Sequence, residues 1–184
     1  MFSAKLIAES GEPESALAKL QEIDALLPGK YYIKFYIGTQ YMAMNEPQKA
    51  MKSFEEALDL DPKKEDVPSI YSYMGVCLKD MSKYEDAIAT LRKAEEFDNE
   101  RTDIYNLMGY CYFKSKEHEK AIDCFRKVLL IDPTSAIDYA NIASNYRDMG
   151  DKQQAIRYYR LALELDPTID FARESLAKLQ DKNT

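Results

Sequence analysis

A unit of about 34 residues repeats along this chain, and no other feature narrows its fold so far. Asp61-Pro62, Asp132-Pro133 and Asp166-Pro167 mark the beat, and the last two prolines stand 34 residues apart. An alanine followed by an apolar residue keeps the same time at Ala50-Met51, Ala87-Ile88, Ala121-Ile122 and Ala155-Ile156. A fixed period of this length predicts stacked helical hairpins, each burying its apolar face against the next. Such a stack is an extended surface, and its default use is to hold other molecules.

Aligned on the Ala-apolar pair, the chain resolves into four complete units, 31–64, 68–101, 102–135 and 136–169. Residues 2–30 read as a shortened first unit, with Ser3, Ala4 and Ile7 in a truncated first helix. Residues 170–180 read as a capping helix, with Phe171, Leu176 and Leu179 on one side. The whole of 1–184 is therefore expected to be one all-α domain. Within each unit the pattern is helix, short turn, helix. Tyr105, Met108, Gly109 and Tyr112 illustrate the i, i+3, i+4, i+7 stripe of a first helix. Its small member, Gly38, Gly75, Gly109 or Ala143, lets the second helix approach. Glycine inside a helix costs about 1 kcal/mol relative to alanine, which close packing must offset. Phe54, Leu91, Phe125 and Tyr159 are the large residues of the second helices. Proline after aspartate ends a unit, because it lacks the N–H and disfavours helix before it. Asn99 replaces that proline, so the second helix before it is expected to end less sharply. About three extra residues within Lys63–Val67 read as a longer charged connection.

These offsets closely resemble the tetratricopeptide repeat (TPR) family. Tyr139, Ile142, Ala143, Tyr146, Gly150, Ala155, Tyr159, Ala162 and Pro167 carry the pattern in the fourth complete unit. Lys34 departs from it, standing where a large apolar residue is usual, so that helix is expected to begin late. The resemblance implies a right-handed superhelical solenoid with a concave groove lined by first helices. It implies a protein or peptide partner rather than a reaction.

Family geometry turns a second stripe of each first helix toward the groove. In the first complete unit that stripe holds Tyr32, Phe35, Thr39 and Met42, and in the second Ser72, Val76 and Lys79. The third supplies Asn106, Tyr110, Phe113 and Lys114; the fourth supplies Ile137, Asn141, Ser144 and Arg147. Tyr32/Phe35/Met42 and Tyr110/Phe113 are apolar clusters with two readings: anchors for a ligand, which aromatics suit, or packing against a neighbouring repeat. Relatives that grip the C-terminal carboxylate of cytosolic chaperones use Lys, Asn and Arg on three successive first helices. The corresponding places hold Phe35 and Thr39, Tyr73, then Asp103 and Leu107; one unit later they hold Ser72 and Val76, Leu107, Ile137 and Asn141. Neither set brings the cations a carboxylate needs. A more apolar ligand, an amphipathic helix or an extended hydrophobic segment, fits better.

The remaining features speak against other classes. A net charge of −7 argues against nucleic acid, whose phosphates demand clustered Lys and Arg. No apolar run approaches the ~20 residues that span a bilayer, so direct membrane insertion is not expected. His118 is the lone histidine, and no CxxC pair or phosphate-cradling loop is present, so no metal, cofactor or catalytic group is expected. Cys77 and Cys111 hold equivalent places in consecutive units, too far apart to bridge across stacked helices. With Cys124 they read as buried free thiols, suited to a reducing cytoplasmic setting if the chain is not part of an exported or membrane protein. Two further uses stay open: self-association through the shortened N-terminal unit, and a regulatory role attached to a larger enzyme or sensor.

Overall fold

In the computed structural model, which describes residues 2–9 and 11–181, the stripes fold as helices throughout. Eleven helices and no strand occur among the described residues. The first compact unit, ending at Asn99, contains α1 (Phe2–Glu9), α2 (Pro13–Leu26) and α3 (Tyr31–Ala43). It continues with α4 (Pro47–Asp59), α5 (Val67–Asp80) and α6 (Tyr84–Phe97). The second, from Glu100, contains α7 (Thr102–Lys114), α8 (His118–Ile131) and α9 (Ala136–Asp148). It ends with α10 (Lys152–Leu165) and α11 (Asp170–Gln180). Within each unit, sequential helices pack as hairpins. No described helix is long and apolar enough to cross a membrane.

One turn design joins α3 to α4, α5 to α6, α7 to α8 and α9 to α10. Asn45, Ser82, Lys116 and Gly150 hold the same register position at φ 58°, 58°, 61° and 83°. Each donates its N–H to a carbonyl three residues back, and the next residue donates to one five back, as in Glu46 N to Tyr41 O at 2.8 Å. This is the Schellman termination, whose left-handed residue favours glycine. Three of the four turns carry a side chain there. Lys116→Gly is therefore expected to stabilise the second unit by about 1 kcal/mol, read by urea denaturation. An unchanged midpoint would show that the turn holds no such strain.

The cores follow the small-large scheme. Phe54, Ala50 and Ala57 of α4 bury with Ile70, Met74 and Cys77 of α5. Ala4 of α1 joins Leu17, Leu20, Ile33 and Ile37; the Ser3 side chain lies outside the described residues. In the second unit Tyr159 and Ala155 of α10 pack on Ala140 and Ala143 of α9 and Ala172 of α11. A Cβ added to Gly38 would lie 2.5 Å from the Phe54 ring, and one at Gly75 2.6 Å from Leu91. The three cysteines are free and buried. Burial pushes the Cys77 thiol up to about 12, with the Asp80 charge adding to it.

Several local expectations change. Lys34 does not delay α3, which starts at Tyr31. Its ammonium reaches Asp24 of α2 at 2.7 Å and Glu56 of α4 at 3.0 Å, so a cation serves where an apolar residue is usual. Asn99 does not blur the end of α6, because Asp98 donates its N–H to Ala94 at 3.0 Å, as Asp132 does to Val128 at 2.7 Å. Val67, counted in the charged connection, is the first residue of α5 and is buried. Asp66 pins that connection to α3 by accepting from the Tyr31 hydroxyl at 2.6 Å.

Candidate functional site

A cleft of about 500 Å³ opens in the second unit, between residues of α7, α8, α9 and α11. Asn106, Tyr110, Phe113 and Lys114 line it from α7. Ile137, Asn141, Ser144 and Arg147 line it from α9. The second-stripe residues of these two helices thus share one concavity. Helical spacing explains this: 106, 110 and 113 lie on one face of α7, as 137, 141 and 144 do on α9. Phe125, Asp138, Asn145 and Phe171 complete the lining.

The lining mixes exposed apolar side chains with half-buried and buried polar ones. Tyr110 and Ile137 are exposed, at 41% and 46%, and Phe171 at 41%. The Lys114 ammonium stands over the Tyr110 ring, 5.4 Å from its centre, a cation–π placement that desolvates little of either group. Arg147 is tethered to Asp148 at 2.7 Å, and it also donates to the hydroxyls of Tyr159 at 3.4 Å and Ser175 at 3.3 Å. Ser144 lies 2.9 Å from the Tyr159 hydroxyl. His118 packs its ring edge on Phe113 and donates from Nδ1 to Asn145 Oδ1 at 3.0 Å. The donor role follows because an amide oxygen only accepts, and Asn145 Nδ2 is committed to the Asn141 carbonyl at 2.9 Å.

Asp138 sits at the base of the cleft, 1% exposed. Its carboxylate accepts from the Ser135 hydroxyl at 2.6 Å and the Asn141 amide at 3.4 Å. The Asn106 side-chain amide donates to it as well. Burial raises its pKa above the ordinary carboxyl value; the three donors oppose that rise and the nearby Asp132 adds to it. The native state therefore holds this proton more tightly than the unfolded chain does. The stability set by Asp138 is full below the unfolded value, about 4, and is lost as pH rises through the raised native value. The melting temperature of the native chain minus that of Asp138→Asn should accordingly fall as pH rises above about 4. A difference that grows with pH would reverse the assignment.

The first unit treats its second stripe differently. Tyr32 packs on the α1–α3 core, and Phe35 and Met42 pack on the α4–α5 core. Phe35 meets Tyr73 edge-on at 5.2 Å and lies 5.7 Å from Phe54. Packing therefore accounts for this aromatic cluster. Ser72 is a correction: it is buried at 5%, because the buried positions of α5 run around most of its circumference as it packs against α3, α4 and α6. Val76 is half-buried. Lys79 pairs with Asp80 at 2.9 Å. Phe35 and Thr39 line a shallower hollow of about 380 Å³ with Tyr36, Gln40 and Tyr73.

The sequence reading overlooked Asp138, Asn145, Phe125 and Phe171 in the lining. A signal existed for three of them. Phe171 stands 34 residues beyond Ile137, so it continues the groove stripe rather than the inner side of α11, where Leu176 and Leu179 pack. Asp138 occupies the place held by Ile33, Ile70 and Ile104, all buried, and Asn145 the place of buried Gln40, Cys77 and Cys111. A polar residue in a core register is a local inconsistency, and such places are commonly functional.

Comparison with known proteins fits this architecture. The family model for the cytochrome c-type biogenesis protein H TPR domain matches residues 35–137, and a tetratricopeptide repeat model matches 139–169. No curated protein matches the chain. Among solved structures, MamA is 24% identical with a TM-score of 0.77, covering 90% of this chain and 91% of that one. YrrB, described as a TPR protein with an unusual peptide-binding site, is 21% identical with a TM-score of 0.80, covering 94% and 87%. MamA from Desulfovibrio magneticus RS-1, residues 41 to the end, is 20% identical with a TM-score of 0.82, covering 91% and 93%. With repeat models matched over both units, this chain belongs to the tetratricopeptide repeat family of protein-interaction modules.

Proposed function

We propose that the chain is a non-catalytic adaptor whose second unit holds a peptide segment of a partner protein in the α7–α9–α11 cleft. The observation that carries this reading is the cleft itself. Three exposed apolar side chains, Tyr110, Ile137 and Phe171, line it together with Asn106, Asn141 and Asn145. An apolar wall anchors a side chain, while amides pair with a backbone. The likeness to YrrB, described as having a peptide-binding site, supports a peptide occupant. The carboxylate-clamp mode is not proposed, because the matching positions lack its cations. Arg147 is already engaged by Asp148. A cytoplasmic setting agrees with three buried free thiols.

The test is selection of peptides from a random displayed library against the full chain. The expected result is an enriched family with a shared apolar residue whose binding perturbs the amide resonances of α7 and α9. No enrichment over an unrelated helical protein, or binding that leaves those resonances unmoved, would overturn the proposal.

A further inference from the structure

The last turn of α7 departs from its sibling helices. α5 ends Lys79-Asp80 and α9 ends Arg147-Asp148. In each, the cation pairs with the aspartate beside it, at 2.9 Å and 2.7 Å. α7 ends Phe113-Lys114 instead. A ring stands where the siblings carry the cation, and a cation stands where they carry the aspartate. The helix dipole favours a cation in the last turn, and all three helices have one. What α7 lacks is the carboxylate that neutralises it. The Lys114 ammonium meets the Tyr110 ring and, among the described residues, no carboxylate.

That cation belongs to the cleft. Tyr110, Phe113 and Lys114 are spaced i, i+3, i+4, so one face of α7 presents two rings and an ammonium together. The ammonium stands 5.4 Å from the centre of the Tyr110 ring, beside the aromatic wall, and the lysine is exposed. An ammonium has three donors, and the ring faces only one side of it. The other two charged residues of the lining leave this charge uncancelled. Arg147 is a cation already paired with Asp148. Asp138 is 1% exposed and accepts from Ser135 and Asn141. On a chain of net charge −7, the accessible charge of this cleft is therefore positive.

We infer that the cleft selects a peptide in which an Asp or Glu side chain stands beside the apolar anchor residue, with the Lys114 ammonium as its partner. The inference rests on the cleft being a peptide site and names a second feature that the site reads. The charge read is a side chain within the segment, not a chain terminus. An exposed lysine–carboxylate pair adds little affinity. Its use is choice: an acidic residue is drawn to the place, and a Lys or Arg is repelled from it. The rings supply the rest of the binding.

The experiment repeats the random-library selection with the full chain and with Lys114→Asp, which installs the residue that α5 and α9 carry at this place. The native chain should enrich Asp or Glu at positions flanking the shared apolar residue. Lys114→Asp should keep the apolar residue, lose the acid and favour Lys or Arg. One peptide selected by the native chain is then synthesised with its C-terminus amidated, so that no terminal carboxylate contributes. Changing its acidic residue to the matching amide should weaken binding to the native chain about fivefold, and the difference should shrink as salt is raised. Against Lys114→Gln the acidic and amide peptides should bind alike. A purely structural role for Lys114 would not produce that coupling. Should Lys114→Asp fail to fold, the Lys114→Gln comparison decides alone.

No acid enrichment, the same enrichment by Lys114→Asp, or an amide peptide that the native chain binds as tightly as the acidic one overturns this inference and leaves the cleft as the peptide site. Binding that survives Tyr110→Ala/Phe113→Ala places the peptide elsewhere and overturns both readings, as does a library that yields no binder.

Discussion

Phe54→Ala is expected to lower the unfolding free energy of the first unit by about 3–5 kcal/mol. Net stabilities of domains are about 5–15 kcal/mol, so this is a large fraction. Phe54 is completely buried, and its ring lies 5.7 Å from Phe35 and 5.8 Å from Tyr73. Truncation removes the buried ring area and leaves a void that the neighbouring Phe35 and Tyr73 rings can only partly close. The glycine opposite makes the test sharper. Gly38→Ala in the native background places a Cβ 2.5 Å from the ring, an overpacking that costs about 1–3 kcal/mol. Helix propensity returns about 1 kcal/mol. In the Phe54→Ala background the same methyl enters the void, so its effect should change sign and stabilise. Urea denaturation of the four chains, followed by circular dichroism, reads the cycle. Equal effects of Gly38→Ala in both backgrounds would show that the two positions do not interlock. In repeat proteins stability is carried by units and their neighbours, so the loss should fall on the early part of the transition rather than on all of it.

Tyr110→Ala/Phe113→Ala is expected to weaken a cleft-bound peptide by more than about 100-fold. Single aromatic hot spots carry about 2 kcal/mol or more, close to thirtyfold each. Tyr110 is the more telling position, because it is 41% exposed and its ring carries the Lys114 ammonium. Its truncation should leave the melting temperature nearly unchanged. Phe113 is half-buried and supports His118, so its truncation should cost some stability as well. Calorimetric titration of the selected peptide, with Arg157→Ala on the exposed part of α10 as control, separates the two. Equal affinity for the double variant and the control would remove these rings from the site.

Most of the helical architecture was legible because its signals are local and redundant. The Ala155, Tyr159, Ala162 stripe predicted a buried face of α10, and all three are completely buried. Where a single residue broke the pattern, pattern alone misled. Lys34 alone suggests a late helix start, but its ammonium finds two carboxylates and the helix begins at Tyr31. Asn99 was read as a frayed end, but a backbone N–H closed the helix without help from proline. The turn residues Ser82 and Lys116 carry no left-handed preference of their own, and the Schellman bonds impose it.

The candidate site was legible in half. Register alone named eight lining residues of the α7–α9 cleft, because their spacing places them on one face of each helix. It did not distinguish this stripe from its counterpart in the first unit. Phe35 and Tyr110 read alike in sequence, yet Phe35 is half-buried against Tyr73 and Phe54, whereas Tyr110 is 41% exposed at the mouth of the larger cleft. The family pattern also hid Asp138 and Asn145, since attention to matching positions passes over a mismatch in the core stripe.

By itself the sequence determined the period, the helices and the small-large pairing of their buried faces, since each is written within one repeat and needs only its neighbours. Only the tertiary structure decided which aromatic is wall and which is core, and that a buried carboxylate gathers two asparagines from different helices. Exposure and amide orientation depend on what another helix places opposite, and no spacing along one helix contains that information.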